Sequence, residues 1–178
     1  MIYNKQKIED VILIESQSHR DERGLFRRHY CEKELKENGI DFTVKQGNVS
    51  ENLKKHTIRG FHYQKVPSKE SKIISCISGS VFNVIIDLRK NSSTFLQWQE
   101  FTITSENRQS LYIPVGCANA FLTLEDNTWI HYYMNDIFIT DSFGFRYNDP
   151  AFSINWPAKP EHMSEKDRNC PNLDLNML

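Results

Sequence analysis

The short run IRGFHYQ, residues 58–64, carries the side chains with the clearest chemical potential. Arg59 and His62 flank Gly60, which permits close approach of a second backbone. The run alternates as a β-strand does, so we expect Arg59 and His62 to line a cavity beside a strand. Histidine exchanges protons near neutral pH. A structural histidine satisfied within the core is, for this run alone, an equally good interpretation.

Metal and cofactor chemistry is not favoured by the surroundings of His62. Gln64 follows two residues later, and Asn119 stands in IPVGCANAF where a further ligand would help, so imidazoles and carboxylates do not converge as a metal requires. The sequence has no flavin motif, no GxGxxG and no P-loop. We therefore expect no metal and no cofactor, which leaves proton transfer by side chains.

The bulk composition is that of an ordinary globular protein. The 178 residues are 39% hydrophobic and 25% charged, with a formal net charge of −1, which gives no field for nucleic acid or an anionic membrane. No apolar run is long enough for a membrane span or signal peptide, so we expect a cytoplasmic protein. We expect neither nucleic acid nor a membrane as a partner. Four scattered cysteines without a CxxC pair indicate reduced, structural thiols.

The elements that must position these groups are mainly strands. Two β-branched runs around Ser78-Gly79-Ser80 predict a hairpin over residues 72–88. Short apolar segments follow at 95–103, 110–116, 120–124 and 128–139, a spacing typical of a β-sandwich or barrel. Helix is predicted at Cys31–Ile40, ended by Asn38-Gly39, and for one turn at SEKD. The tail after Pro157 is polar.

The strand predicted over residues 81–88, VFNVIIDL, is nearly continuous in apolar residues. Such a pattern indicates that both faces of the strand are covered. In an antiparallel sandwich, a second subunit is one way to cover the outer face. We therefore expect a homodimer.

The whole chain also resembles the dTDP-4-dehydrorhamnose 3,5-epimerase family through motifs in collinear order. These are DERGLF (21–26), QGNVS (46–50), RGFHYQ (59–64), Lys72, GSVFNVIIDLR (79–89), SSTFLQW (92–98), IPVGCANAF (113–121), NDP (148–150), WP (156–157) and SEKD (164–167). The resemblance implies a mainly β fold, a cupin-type jelly roll or double-stranded β-helix with short peripheral helices. It implies one domain over 1–178, with the polar tail from about 158, and a homodimer that binds a nucleotide sugar.

The implied reaction is epimerisation at carbon 3, carbon 5 or both of a dTDP-linked 4-keto-6-deoxyhexose. The ketone acidifies both neighbouring carbons, so the site needs a base, a charge stabiliser and an acid. By resemblance His62 is the base, oriented by Asp167. Lys72 and Arg59 face the developing oxyanion, and Tyr132 returns a proton from the opposite face. The implied pathway is deoxysugar supply for surface polysaccharides such as lipopolysaccharide O-antigen.

Substrate contacts are also implied by the resemblance. Arg23 and Arg59 match diphosphate-binding residues, a task that suits a bidentate guanidinium. Phe26 and Phe138 match aromatic residues that flank the base. The other implied contacts are Arg28, Gln46, Asn48, Asn119 and Lys166.

Four positions depart from the family pattern, among them Gly47, where the family usually has aspartate. The family usually has histidine at Asn119, and an amide cannot carry charge, which raises the hypothesis of epimerisation at a single carbon. Arg28 and Phe143 stand where the family has glutamates. Because guanidinium suits acceptors of cytosine or guanine better than the N–H of thymine, a CDP-linked 4-keto-3,6-dideoxyhexose 5-epimerase is the alternative. A 3,4-ketoisomerase and a non-catalytic sugar-nucleotide-binding cupin also stay open.

Overall fold

In the computed structural model, residues 1–65, 67–137 and 143–178 are described, and they fold mainly into antiparallel β-strands. The strands are β1 (Ile2–Lys5), β2 (Ile12–Glu15), β3 (Ser18–Asp21), β4 (Gly24–Arg27), β5 (Gln46–Asn52), β6 (Ile58–Tyr63), β7 (Lys72–Ser78), β8 (Ser80–Asp87), β9 (Trp98–Thr104), β10 (Gln109–Ile113), β11 (Cys117–Thr123), β12 (Thr128–Met134) and β13 (Phe143–Gly144). Helices are short: α1 (Glu32–Glu37), α2 (Glu165–Arg168) and a 3-10 turn at Leu175–Met177.

Two sheets face each other as a sandwich, which confirms the expected mainly β jelly-roll class. One sheet has the order β1-β2-β10-β7-β12-β5 and the other the order β13-β6-β11-β8-β9, while β3 and β4 form a separate hairpin. Side chains such as Ile74, Ile85, Leu111 and Ile130 fill the space between the sheets. Burial of this inter-sheet layer is the main source of stability for such a fold.

The hairpin predicted over residues 72–88 is wrong, although both of its strands exist. β7 pairs with β10 and β12, whereas β8 pairs with β9 and β11 in the opposite sheet. Gly79, at φ +76°, forms the corner between them, and a Cβ there would lie 2.4 Å from Oγ1 of Thr128. β7 and β8 instead pack across the core, where Ile74 of β7 joins the same buried cluster as Ile85 of β8.

The prediction that both faces of β8 are covered is confirmed, but the cover comes from the same chain. Val81 and Ile85 face the inter-sheet core. Val84 and Ile86 face the other way, into a second cluster with Phe145 and with other side chains of the C-terminal part of the chain: Phe152, Ile154, Trp156, Leu173 and Leu178. The burial of β8 therefore gives no argument for a dimer.

The two predicted helical segments are confirmed. α1 ends at Glu37, with Gly39 at φ +79° after it, and packs with Leu35 on the outer face of the six-stranded sheet. α2 forms at SEKD, within the tail that begins near residue 158. That tail returns to the body, where Thr57 and His162 form a bridge. Among the described residues, no helix is long and apolar enough to cross a membrane.

Candidate active site

A cavity of about 360 Å³ opens between the two sheets. The six-stranded sheet contributes side chains from β5, β7 and β12, and the five-stranded sheet contributes side chains from β6 and β11. The lining is Asn48, Ser50, Arg59, His62, Tyr63, Gln64, Glu70, Lys72, Asn119, Phe121, Tyr132, Met134, Ser164, Lys166 and Asp167. The structure thus brings together all four side chains with implied catalytic roles.

His62 and Asp167 form a hydrogen-bonded pair at this cavity. Nε2 of His62 lies 2.7 Å from Oδ1 of Asp167, which is only 5% exposed. Burial alone would raise the pKa of Asp167, but the hydrogen bond and the charge of His62, followed by the amide of Gly60, bring it below its ordinary value. The carboxylate is therefore ionised and accepts a hydrogen bond from Nε2–H, so Nδ1 is the basic nitrogen of the ring.

Asp167 owes its position to the short helix α2. Ser164 is the N-cap, and its hydroxyl oxygen accepts a hydrogen bond from the amide of Asp167 at 3.1 Å. The carboxylate then reaches β6, where the amide of Gly60 donates to Oδ2 at 3.4 Å. A residue of the polar C-terminal tail is in this way fixed beside a strand 105 residues earlier.

A register irregularity in β6 explains how Arg59 and His62 reach the same cavity. In a regular strand, residues three apart point to opposite faces. Here Asn119 pairs with His62 and Phe121 with Arg59, so three steps on β6 oppose two on β11. Gly60 lies inside this bulge at φ +111°, and a Cβ there would lie 2.5 Å from the carbonyl oxygen of Asn119. The expected close backbone approach at Gly60 is confirmed.

Tyr132 enters from the opposite sheet. It lies on β12 between Asn48 of β5 and Ile74 of β7, with its side chain on the inner face. Burial raises the pKa of its phenol well above the ordinary value, an effect that the charge of Arg59 partly opposes. The phenol is therefore protonated at neutral pH and has a proton to donate, although the raised pKa makes it a weaker acid than an ordinary tyrosine.

Lys72 lies in the cavity and forms an ion pair that was not predicted from the sequence. Its Nζ is 2.9 Å from Oε1 of Glu70, and both side chains are largely buried. Oε2 of Glu70 is buried without a hydrogen-bond partner in the described part of the chain. The spacing of Glu70 and Lys72 could have predicted this pair, because residues two apart in an extended segment share a face.

Some of the other implied substrate contacts line the cavity, and others lie away from it. Arg59, Asn48 and Lys166 line the cavity. Nε of Arg59 donates to Asn52 at 2.8 Å. Gln46 does not line the cavity itself, but its side-chain amide donates a hydrogen bond to Oδ1 of the cavity residue Asn48 at 3.1 Å.

Three implied contacts lie away from this cavity. Arg23 and Phe26 belong to the β3–β4 hairpin, where Phe26 is 75% exposed and Arg23 pairs with Asp21. Arg28 follows the hairpin and is ion-paired with Glu34 of α1. The structure does not place these three beside His62 within one chain. Phe138 lies outside the described residues.

Asn119 occupies the cavity wall directly beside His62, its Cα partner across β6 and β11. Its amide nitrogen donates to Oδ1 of Asn83 at 2.7 Å and to the main-chain oxygen of Val84 at 3.1 Å. Both partners lie on β8. The amide is therefore held from the side away from the cavity.

Comparison with known proteins decides the family. A family model described as dTDP-4-dehydrorhamnose 3,5-epimerase matches residues 5–174. The chain belongs to the dTDP-4-dehydrorhamnose 3,5-epimerase family. The Salmonella typhimurium member is 36% identical over 100% of this chain and 98% of its own length.

Solved structures of the epimerase family superpose closely on the chain. The Bacillus anthracis epimerase, solved with TDP and PPi bound, has a TM-score of 0.93 at 35% identity and covers 97% of this chain and 99% of its own. The Legionella pneumophila epimerase, in complex with dTDP-4-keto-L-rhamnose, has a TM-score of 0.91 at 31% identity, covering 99% and 94%. The family predicted from motif order is confirmed.

Proposed function

We propose that this protein epimerises a dTDP-linked 4-keto-6-deoxyhexose at carbon 3, carbon 5 or both. The observation that carries the proposal is one arrangement: the His62–Asp167 pair on one sheet and Tyr132 on the other, with Lys72 in the same cavity. A base and an acid that approach from opposing sheets can act on opposite faces of a sugar ring. Removal of a proton from one face of a ring carbon and its replacement from the other face inverts the configuration of that carbon.

The steps follow from the groups present. Nδ1 of His62 removes the proton from a carbon next to the ketone, and Asp167 stabilises the resulting imidazolium through Nε2. The electron pair moves to the ketone oxygen, where the ammonium of Lys72 stabilises the enolate. Tyr132 then donates its phenolic proton to the same carbon from the other face, and the carbonyl re-forms. Return of the proton from His62 to the phenol through solvent completes the cycle.

The nucleotide we propose is dTDP. Two of the most similar solved epimerases hold TDP or a dTDP-linked keto sugar. Recognition of cytosine or guanine requires a free guanidinium at Arg28, and that group is paired with Glu34. Calorimetry with dTDP, CDP and GDP tests this choice, and tighter binding of CDP or GDP would overturn it.

The central experiment is incubation with dTDP-4-keto-6-deoxyglucose in heavy water. We expect deuterium at carbon 3, carbon 5 or both, together with inverted product, as observed by NMR and mass spectrometry. A shifted carbonyl would indicate a ketoisomerase instead. Binding without any exchange would indicate a non-catalytic sugar-nucleotide-binding protein.

The homodimer is part of the proposal and rests on a different surface from β8. Val49, Ile77 and Trp129 are exposed and share the outer face of the six-stranded sheet. The β3–β4 hairpin adds exposed Leu25 and Phe26. Apolar side chains that are exposed close together favour association with another protein. The partner that we propose is a second copy of this chain. We also place the enzyme in the cytoplasm, in precursor synthesis for surface polysaccharides.

A further inference from the structure

An amide pair spans β11 and β8 at the wall of the cavity. Nδ2 of Asn119 donates to Oδ1 of Asn83 and also to the main-chain oxygen of Val84. Asn83 is fully buried, and Asn119 is 7% exposed. Both strands belong to the five-stranded sheet that carries His62.

The main-chain oxygen of Val84 fixes which way the Asn119 amide points. A peptide carbonyl accepts hydrogen bonds and cannot donate them, so the atom of Asn119 that faces it must be the NH₂ group. The other amide atom, Oδ1, accepts no hydrogen bond from the described residues. Since Asn119 lines the cavity and Nδ2 is directed to β8, Oδ1 is the atom left for a ligand.

We propose that Asn119 is a specificity-determining residue, whose carbonyl oxygen accepts a hydrogen bond from a ring hydroxyl of the bound hexose, and that Asn83 is its positioning residue. This proposal rests on the proposed function. In a 4-keto-6-deoxyhexose linked through carbon 1, only carbons 2 and 3 carry hydroxyls. Carbon 4 is the ketone, carbon 5 bears the ring oxygen, and carbon 6 is a methyl group. The donor is therefore the hydroxyl on carbon 2 or carbon 3.

The orientation also defines what Asn119 does not do. An acceptor oxygen repels the negative enolate oxygen, so Asn119 contributes to binding of the hydroxyl and the enolate depends on Lys72. A pocket with such an acceptor favours a hexose that keeps both hydroxyls over a 3,6-dideoxyhexose if carbon 3 is the donor. The amide pair thus bears on the choice between the two substrate classes considered for the chain.

The test is calorimetry with three stable ligands: dTDP-6-deoxyglucose and its 2-deoxy and 3-deoxy counterparts. For the unaltered protein we expect one of the deoxy ligands to bind about tenfold more weakly than the parent, the size of one good hydrogen bond. Asn119→Leu and Asn83→Leu should reduce that preference to about twofold or less. Asn83→Asp keeps the acceptor for Nδ2 and should retain the preference.

Asn91→Leu, the same change on an exposed loop, is the matched control and should also retain the preference. Equal binding of all three ligands by the unaltered protein, or an unchanged preference in Asn119→Leu, would overturn the proposal. Because the ligands do not react, the result does not depend on turnover. Absence of deuterium exchange would refute the epimerase activity but would leave the hydroxyl contact intact. Equal binding of the three ligands would refute the hydroxyl contact but would leave the epimerase activity intact.

Discussion

At the scale of single residues, the site contains two basic side chains that are each paired with a carboxylate, and a neutral phenol. Asp167 is bonded to His62 and Glu70 is bonded to Lys72, so each basic group has its own counter-charge. Tyr132 has no carboxylate partner among the described residues, and burial raises the pKa of its phenol, which stays protonated. The proposed base, charge stabiliser and acid therefore differ in environment as well as in type.

Replacement of His62 tests the base. In His62→Gln we expect kcat to fall by about a hundredfold to ten-thousandfold, the usual contribution of a positioned general base. Asp167→Asn should lower kcat less, because the imidazole remains. Steady-state kinetics measure both, and an unchanged circular dichroism spectrum and melting temperature provide the control. A loss below tenfold in His62→Gln would contradict the assignment.

Replacement of Tyr132 separates deprotonation from inversion. Tyr132→Phe keeps the buried ring and removes the proton donor, so we expect deuterium exchange through His62 to continue while inverted product falls by about a hundredfold. NMR in heavy water follows the two signals in one sample. Inverted product at the original rate would show that another group reprotonates the carbon.

The Lys72–Glu70 pair predicts a loss of activity when the carboxylate is removed. In Glu70→Gln the ammonium of Lys72 loses the ionised partner that holds it at 2.9 Å, so its position in the cavity is less well fixed. We expect kcat to fall by about tenfold to a hundredfold in steady-state kinetics, the size of one hydrogen bond to a charged group. An unchanged kcat would assign Glu70 a purely structural role. Glu51→Gln, on the exposed part of β5, is the control.

At the scale of elements, a strand bulge and a short helix position His62. The bulge in β6 turns Arg59 and His62 to one cavity, and α2 fixes Asp167 against the same strand. Neither device is large: α2 has four residues. Both depend on local geometry, a glycine at positive φ in one case and an N-cap serine in the other.

Ser164 gives the element-scale prediction. Ser164→Ala removes the N-cap of α2, a change that typically costs about 1 kcal/mol. Because Asp167 is the residue whose amide the cap holds, we expect kcat to fall about threefold to tenfold and the melting temperature to fall by about 2–4 °C. Ser164→Thr should restore both values. Full activity in Ser164→Ala would mean that the Gly60 amide alone is enough to fix the carboxylate.

At the scale of the whole molecule, the cavity exists because two sheets face each other. His62 and Tyr132 lie 70 positions apart in sequence and on different sheets, and the C-terminal part of the chain covers the outer face of β8. What remains uncovered is the outer face of the other sheet around Trp129, together with the β3–β4 hairpin. These are the surfaces that assembly would bury.

Trp129 gives the prediction for assembly. Light scattering should give a mass of twice the 21.0 kDa of one chain. Trp129→Lys places a charge on the uncovered face and should shift the mass toward one chain, because an unpaired charge at an interface is costly. Leu175→Lys, on the C-terminal 3-10 turn, should stay dimeric. A single-chain mass for the unaltered protein would exclude the proposed dimer.

The sequence by itself determined the fold class, the family and the membership of most of the cavity. Strand spacing and turn residues are local signals, and they located β7 to β12 and both helices correctly. The ordered motifs identified His62, Lys72, Tyr132 and Asp167 as a set, and all four line one cavity.

The tertiary structure decided which strands pair, what covers them and which way side chains point. Local pattern cannot tell a hairpin at Gly79 from a corner between sheets, because both need a glycine at positive φ. It cannot reveal that β8 is covered by a distant part of its own chain, that a bulge turns Arg59 toward the same cavity as His62, or that Val84 fixes the Asn119 amide. Each of these depends on contacts between residues far apart in sequence, which exist only once the sheets have formed.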